Sequence, residues 1–319
     1  MSRGRVGILV NPMAGRDIRR LVALADTASG PAKILSVRRL IHGLRFGGGV
    51  DVLLIDDPEG LAAEVASQER GVRVLADDTR LRGTDLTRHW VDRFMDRGID
   101  VLVSIGGDGT QRAVALAQCP APVLPIAGGT NNVLAWSGDQ TLAGMAAAAV
   151  ARGGGGSPLV RRAKRFRIMH GAGEDLALVD VAQIATPFIG ALAVYDARLV
   201  RRLLLNVADL ARPGLSNVGG FADPVSMDDD WSLSLRLRQR GGRRTPAVMA
   251  PGLVDLFRVD AALRVPLGTP EHWRLSEPST IAVDGERTIA LRADDEVRVV
   301  ADRQGLRLIH PDALTLPPA

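Results

Sequence analysis

The chain has 319 residues, a length that suits two domains of ordinary size. Hydrophobic residues make up 46% and charged residues 24%, which supports a sizeable core and argues against disorder, while an aromatic content of 3% leaves few platforms for stacking single-stranded nucleic acid. The balance of 40 Lys plus Arg against 36 Asp plus Glu is a small basic excess, and the single cysteine, Cys119, excludes a disulfide framework and a multi-cysteine zinc site and reads as a buried packing residue.

"MSRGRVGILVNP" enters a strand-like run with no apolar leader, and no stretch of the chain is apolar for the length of a membrane span, so the sequence reads as soluble and cytoplasmic. "RVGILV" is a buried strand that ends in the turn "NPMAG". "DIRRLVALADTA" and "AKILSVRRLIHGL" have helical spacing; "VDVLLID" is a second strand, and "PEGLAAEVASQ" a helix beginning at Pro58. "VRVLAD" is a third strand and "TDLTRHWVDRFMDRG" a helix closed by Gly98. "DVLVSIGG" and "TQRAVALAQ" form the next strand and helix, "APVLPIAGGTNN" a fifth strand with a glycine turn, and "TLAGMAAAAVARG" a further helix. This alternation predicts an α/β domain over residues 1–152, with a parallel, Rossmann-like sheet covered by helices on both faces. Its three glycine turns follow strands and fall on one edge of the sheet, where ligands bind.

The glycines at 153–156 mark a linker, and residues 157–319 change texture. "RRAKRFRIMHG", "WSLSLRLRQR", "STIAVDGERTIALRA" and their neighbours alternate apolar with polar residues and predict a mostly antiparallel β domain. One stretch, "ALAVYDARLVRRLLLNVADLAR", reads as a helix interrupting it. The five histidines show neither triad nor metal spacing and read as ordinary polar residues. The basic run "RRAKRFR" reads as a solvated strand face or as a lure for a phosphorylated substrate.

The turn "GGDGT" favours a phosphate site over a tight structural turn. Glycines let backbone approach a ligand and adopt turns closed to other residues, and backbone N–H groups with a following helix start favour an anion. No lysine follows as in a P-loop, and the first strand's turn lacks the dinucleotide fingerprint. Asn11 either bonds a nucleotide or caps its turn; Thr130, Asn131 and Asn132 either contact phosphate and hydroxyls or shape theirs. Asp284 and Glu286 sit on a hairpin around Gly285.

"GGDGT" after an apolar strand resembles the signature shared by NAD kinases, diacylglycerol kinases and sphingosine kinases. "ILVNPMAGR", "LPIAGGTNN" and "TIAVDGE" resemble that superfamily's other motifs in order, across residues 6–286. The wording is most similar to the acetoin-catabolism protein X group, which is ATP–NAD kinase-like. The resemblance implies phosphoryl transfer from ATP, or polyphosphate, with Mg2+, to a hydroxyl of NAD or a related acceptor in a cleft between the domains. A diacylglycerol kinase-like or small-alcohol kinase, or a non-catalytic nucleotide-binding regulator, is the alternative. On the matching positions it implies catalytic roles for Asp108 and Glu286. Nucleotide contacts fall to Asn11, Gly15, Gly106, Gly107, Gly109, Thr110, Gly129, Thr130, Asn131 and Asn132. Where NAD kinases carry an Asn-Glu or Asn-Asp pair early in the β domain, this chain has Val179-Asp180, which leaves Asp180 as the substrate contact. No metal ligands are identified. The expected partner is a small-molecule acceptor, with no nucleic acid, no integral membrane association and homo-oligomerisation left open.

Overall fold

The structure is a computed structural model that describes residues 3–14, 29–46, 49–129, 132–153, 157–171, 173–186, 196–285 and 287–314. The predicted helix over "DIRRLVALADTA" lies outside them, as do Gly15, Thr130, Asn131, Glu286 and the linker glycines 154–156.

The first sheet contains β1 (Gly4–Val10), β2 (Val50–Ile55), β3 (Val72–Leu75), β4 (Val101–Gly106) and β5 (Val123–Ala127), all parallel, in the order β3-β2-β1-β4-β5. Every residue of β4 is buried, as expected for a strand with helices on both faces. The helices Gly30–Phe46 and Gln140–Gly153 share one core with the strands, through Val37, Leu40, Ile41, Ala143 and Ala147 against Ile8, Leu54, Val103 and Leu124. One predicted start shifts: the second helix begins at Leu61, not Pro58, because the Asp57 carboxylate accepts from Glu59 and Ala62 N–H and caps it there.

The division between domains also moves. Strands β6 (Val160–Arg162) and β18 (Arg307–Ile309) belong to this first sheet, with β18 parallel to β5 and antiparallel to β6. One compact unit therefore runs on to Arg162 and takes the chain back from Leu306, while the other spans Ala163–Gly305. Three-residue strands give little periodic signal, so the glycine run stood out in the sequence instead.

The second unit is antiparallel throughout. A seven-stranded sheet has the order β12 (Arg243–Ala250), β13 (Leu253–Pro266), β11 (Trp231–Leu237), β10 (Val200–Leu205), β9 (Asp180–Ile184), β15 (Ser279–Val283), β16 (Arg287–Leu291), and a four-stranded sheet the order β14 (Pro270–Arg274), β17 (Glu296–Asp302), β7 (Arg165–His170), β8 (Gly173–Ala177). The expected helix over 191–212 is corrected. Among its described residues, Ala197–Leu199 is a short 3-10 turn and Val200–Leu205 is β10, hydrogen-bonded to β9 (Asp180–Ile184) and β11 (Trp231–Leu237). Leu203 and Leu205 enter one core and Leu204 another, so both faces are buried and the strand reads as a continuous apolar run. The helix in this region lies later, at Leu215–Ala222. The basic run is divided: Arg161 and Arg162 are exposed as expected, Arg165 pairs with Asp302 and Arg167 with Glu174, but Lys164 is fully buried. Cys119 is buried, and that burial pushes its thiol up to about 11. No helix among the described residues is long and apolar enough to cross a membrane.

Candidate functional site

In the strand order β3-β2-β1-β4-β5 the chain reverses its direction of travel between β1 and β4. At such a switch point the connecting loops part and leave a crevice at the carboxyl ends of the strands. "NPMAG" leaves β1 there and "GGDGT" leaves β4 beside it. The two turns are tied together: Asn11 N–H donates to the Ile105 carbonyl at 3.0 Å, and Asn11 Nδ2 donates to Thr110 Oγ1 at 2.8 Å. Asn11 Oδ1 accepts from Met13 N–H at 2.9 Å, so the one amide both caps its own turn and reaches the second motif.

The helix after β4 begins at Asp108, inside the motif. Thr110 and Gln111 N–H return to the Gly107 carbonyl, and the first N–H groups of the helix form its positive end. Gly107 has φ −87°, ordinary backbone for any residue, so left-handed geometry is not what glycine supplies there. Close approach is the reason at its neighbours. A Cβ on Gly106 would stand 2.4 Å from Thr110 Oγ1, and one on Gly129 would stand 2.9 Å from Gly107 Cα.

Asp108 is 6% exposed, and its carboxylate is engaged by the third turn. Val133 N–H lies 3.1 and 3.0 Å from its two oxygens, and Leu134 N–H lies 3.1 Å from Oδ1. Asn132 closes on its own loop, with Oδ1 accepting from Gly129 N–H at 3.0 Å and Nδ2 donating to the Gly129 carbonyl at 2.6 Å. The structure thus brings together Asn11, Gly106, Gly107, Asp108, Gly109, Thr110, Gly129 and Asn132. Gly15, Thr130 and Asn131 fall outside the described residues.

The reading of single motifs missed Lys33. Its ammonium, 3% exposed, donates to the Pro12 carbonyl at 2.7 Å and to that of Asn11 at 3.4 Å, bracing the first turn. A signal was present: the 40 basic residues include only two lysines, Lys33 and Lys164, and both are buried. An arginine fork is broader than an ammonium, and these two sites hold the compact cation. Two histidines that showed no catalytic spacing sit beside buried acids: His89 with Asp77, which also accepts from Trp90 Nε1, and His42 with Glu69. Burial pushes the Glu69 carboxyl up, but hydrogen bonds from Arg38 and Arg45 outweigh it and hold the group below its ordinary value.

In the second unit, Asp180 is 7% exposed at the start of β9. The Asp-Gly turn is a hairpin between β15 (Ser279–Val283) and β16 (Arg287–Leu291), with Asp284 at φ 48° and Gly285 at φ 67°. The Asp284 carboxylate accepts from Leu178, Val179 and Asp180 N–H at 2.8–3.2 Å. It binds successive amides of a distant turn, as Asp108 does in the first unit. Val179 is fully buried. Glu286 lies outside the described residues.

Residues 6–153 match the model of the ATP-NAD kinase N-terminal domain, and residues 164–304 that of the acetoin catabolism protein X C-terminal domain. Among solved structures, a diacylglycerol kinase from Bacillus anthracis str. Sterne shares the fold at a TM-score of 0.51 and 12% identity, over 99% of this chain and 100% of that one. The acetoin catabolism protein X of Cupriavidus necator is 30% identical over 323 aligned positions, covering 95% of this chain and 89% of the relative. With that identity over nearly the whole length, the chain belongs to the acetoin catabolism protein X family.

Proposed function

We propose that the chain is an NAD kinase-like phosphotransferase that moves a phosphoryl group from ATP to a hydroxyl of NAD or a related small acceptor, as a cytoplasmic enzyme of NADP formation. The observation that carries the reading is the Asn11–Thr110 hydrogen bond across the switch point, which joins two motif turns at the start of a helix. The match of residues 6–153 to an ATP-NAD kinase domain supports it. In this reading Asn11, Gly107, Gly109 and Thr110 hold the triphosphate through side-chain and backbone donors. Asp108 acts as a positioning residue that keeps the 128–134 turn beside them. No group of three or more His, Cys, Asp or Glu among the described residues forms a metal site. In this reading a Mg2+ ion carried by the triphosphate neutralises phosphate charge. Phosphoryl transfer asks chiefly for placement and charge neutralisation, which such a site supplies.

A second reading places the phosphoryl group on another hydroxyl compound. It is favoured by Val179, which is buried where the resemblance calls for an amide side chain and whose N–H is committed to Asp284. One experiment tests both. The full chain is incubated with ATP, Mg2+ and, separately, NAD, diacylglycerol and acetoin-like alcohols, and products are identified by mass. NADP formation supports the first reading, and a phosphorylated alcohol or lipid alone supports the second. ATP binding by calorimetry with no product from any acceptor would leave a nucleotide-binding regulator.

A further inference from the structure

In an antiparallel sheet, residues directly opposite one another share a face. In the seven-stranded sheet, Leu203, Leu205, Leu233, Leu235 and Phe257 define the inner face and a common core. The outer face is covered over β9, β15 and Leu204 of β10, where Val181, Ile281 and Val283 pack with Trp273, Val297 and Val299 of the four-stranded sheet. Over β11, β13 (Leu253–Pro266) and β12 (Arg243–Ala250) the same face is open. Val254 is 64% exposed there, Leu263 51% and Leu256 38%.

Arginines cross this open face. Arg202 of β10 lies directly opposite Arg236 of β11, and Arg258 of β13 directly opposite Arg244 of β12. Like charges in such positions repel and destabilise a sheet. Among the described residues, Arg236, Arg244 and Arg258 have no side-chain hydrogen bond or ion pair. Arg202 stacks over Trp273, with Glu271 the carboxylate that offsets its burial and the nearby Arg236. These four strands carry only two acids. Asp255 sits opposite Ala247 of the inner face and accepts from Ala197 N–H, and Asp260 pairs with Arg238 at 2.9 Å. The face therefore presents aliphatic side chains and three guanidinium groups, Arg236, Arg244 and Arg258, without an ion pair, while the carboxylate that shares it, Asp260, is taken by Arg238.

We infer that this open face of β11, β13 and β12 docks on an anionic phospholipid surface. Guanidinium groups grip phosphodiesters through paired N–H donors, and Val254, Leu256 and Leu263 have the character that enters the headgroup boundary. A nucleic acid fits less well, because the aromatic residues of these strands, Trp231 and Phe257, alternate onto the inner face and none is left to stack on bases. A second copy fits less well too, since two identical faces set arginine against arginine.

The test is co-sedimentation of the full chain with vesicles of phosphatidylcholine alone and with vesicles in which a third of the lipid is phosphatidylglycerol. The expected result is binding to the anionic vesicles only, lost between about 0.05 M and about 0.5 M salt. The double variant Arg244→Ala/Arg258→Ala should bind roughly 25-fold more weakly, at about fivefold per arginine. Leu256→Asp should weaken binding as well. The double variant separates like charges, so its unfolding midpoint should not fall, which keeps a loss of binding from being a loss of fold. The inference is overturned by no sedimentation with anionic vesicles, by equal sedimentation with neutral ones, by undiminished binding of the double variant, or by retention on RNA with none on vesicles.

Discussion

Removing the Asp108 carboxylate tests whether that group places a loop or moves a proton. In Asp108→Ala two backbone donors, Val133 N–H and Leu134 N–H, lose their acceptor. Each buried, unsatisfied donor costs about 1–3 kcal/mol, so the variant should lose roughly 2–6 kcal/mol of stability. Asp108→Asn should cost less, about 1–3 kcal/mol. Its oxygen still accepts from Leu134 and Val133 N–H at 3.1 Å, but its amide nitrogen takes the place of the oxygen 3.0 Å from Val133 N–H and sets donor against donor. Urea unfolding gives the stability, and amide exchange at Val133 and Leu134 shows whether the loss is local. In both variants these two amides should exchange faster, and ATP affinity should fall with turnover because the turn no longer keeps its place. An Asp108→Asn protein with unchanged unfolding midpoint and exchange but turnover lowered by about 10² to 10⁴ would refute the positioning role and assign the carboxylate to proton transfer.

Gly106→Ala places a Cβ 2.4 Å from Thr110 Oγ1, so it should lose roughly 1–3 kcal/mol in urea unfolding and weaken ATP binding in calorimetry; an unchanged midpoint would mean the turn has room to spare. Glu286→Gln should leave turnover near wild type if NAD is the acceptor, whereas a fall of about a hundredfold at constant ATP affinity would move the acceptor to another hydroxyl. Burial lowers the Lys164 ammonium from 10.5 to about 8, with Asp229 opposing that shift and Arg303 adding to it. Above about 8 the unfolded chain holds the proton more tightly than the folded one, so stability relative to Lys164→Met should rise from pH 8 towards pH 10; a flat difference between the two denaturation curves would contradict this.

The five parallel strands β1 to β5 were legible because they are short apolar runs between turn residues, and because three of those turns carry glycines with motif neighbours. Helices on both faces followed from the spacing. The hydrogen bonding of Asp108 was not legible in the same way. Its acceptors' partners lie 25 and 26 residues away in a loop whose only local signal is glycine and asparagine. Asp284 reaches 104–106 residues back to Leu178, Val179 and Asp180, which no window on the sequence joins. β10 was misread because "RRLLL" has no alternation: a strand covered on both sides loses the period that marks a half-buried one. The helix Leu215–Ala222 was hidden by its own Gly219 and Gly220, which break helical propensity; a Cβ at Gly219 would stand 2.3 Å from Leu205 Cδ1.

β18 occupies the place between β5 and β6, and this has a consequence for synthesis on the ribosome. When Arg162 emerges, β5 and β6 are both made, but the strand that lies between them is not. The whole of Ala163–Gly305 must be translated first, on the order of ten seconds of elongation. Through that interval the Val123 end of β5, where β18 pairs, lacks its partner, while the stretch from Pro125 to Ala127 is already bonded to Trp136. A fragment ending at Arg162 would keep that open end permanently, and a protein truncated before Leu306 would carry it into its final state. Genetic separation of the two halves is therefore expected to yield an aggregating first half unless the segment from Leu306 onwards is grafted back or supplied in trans.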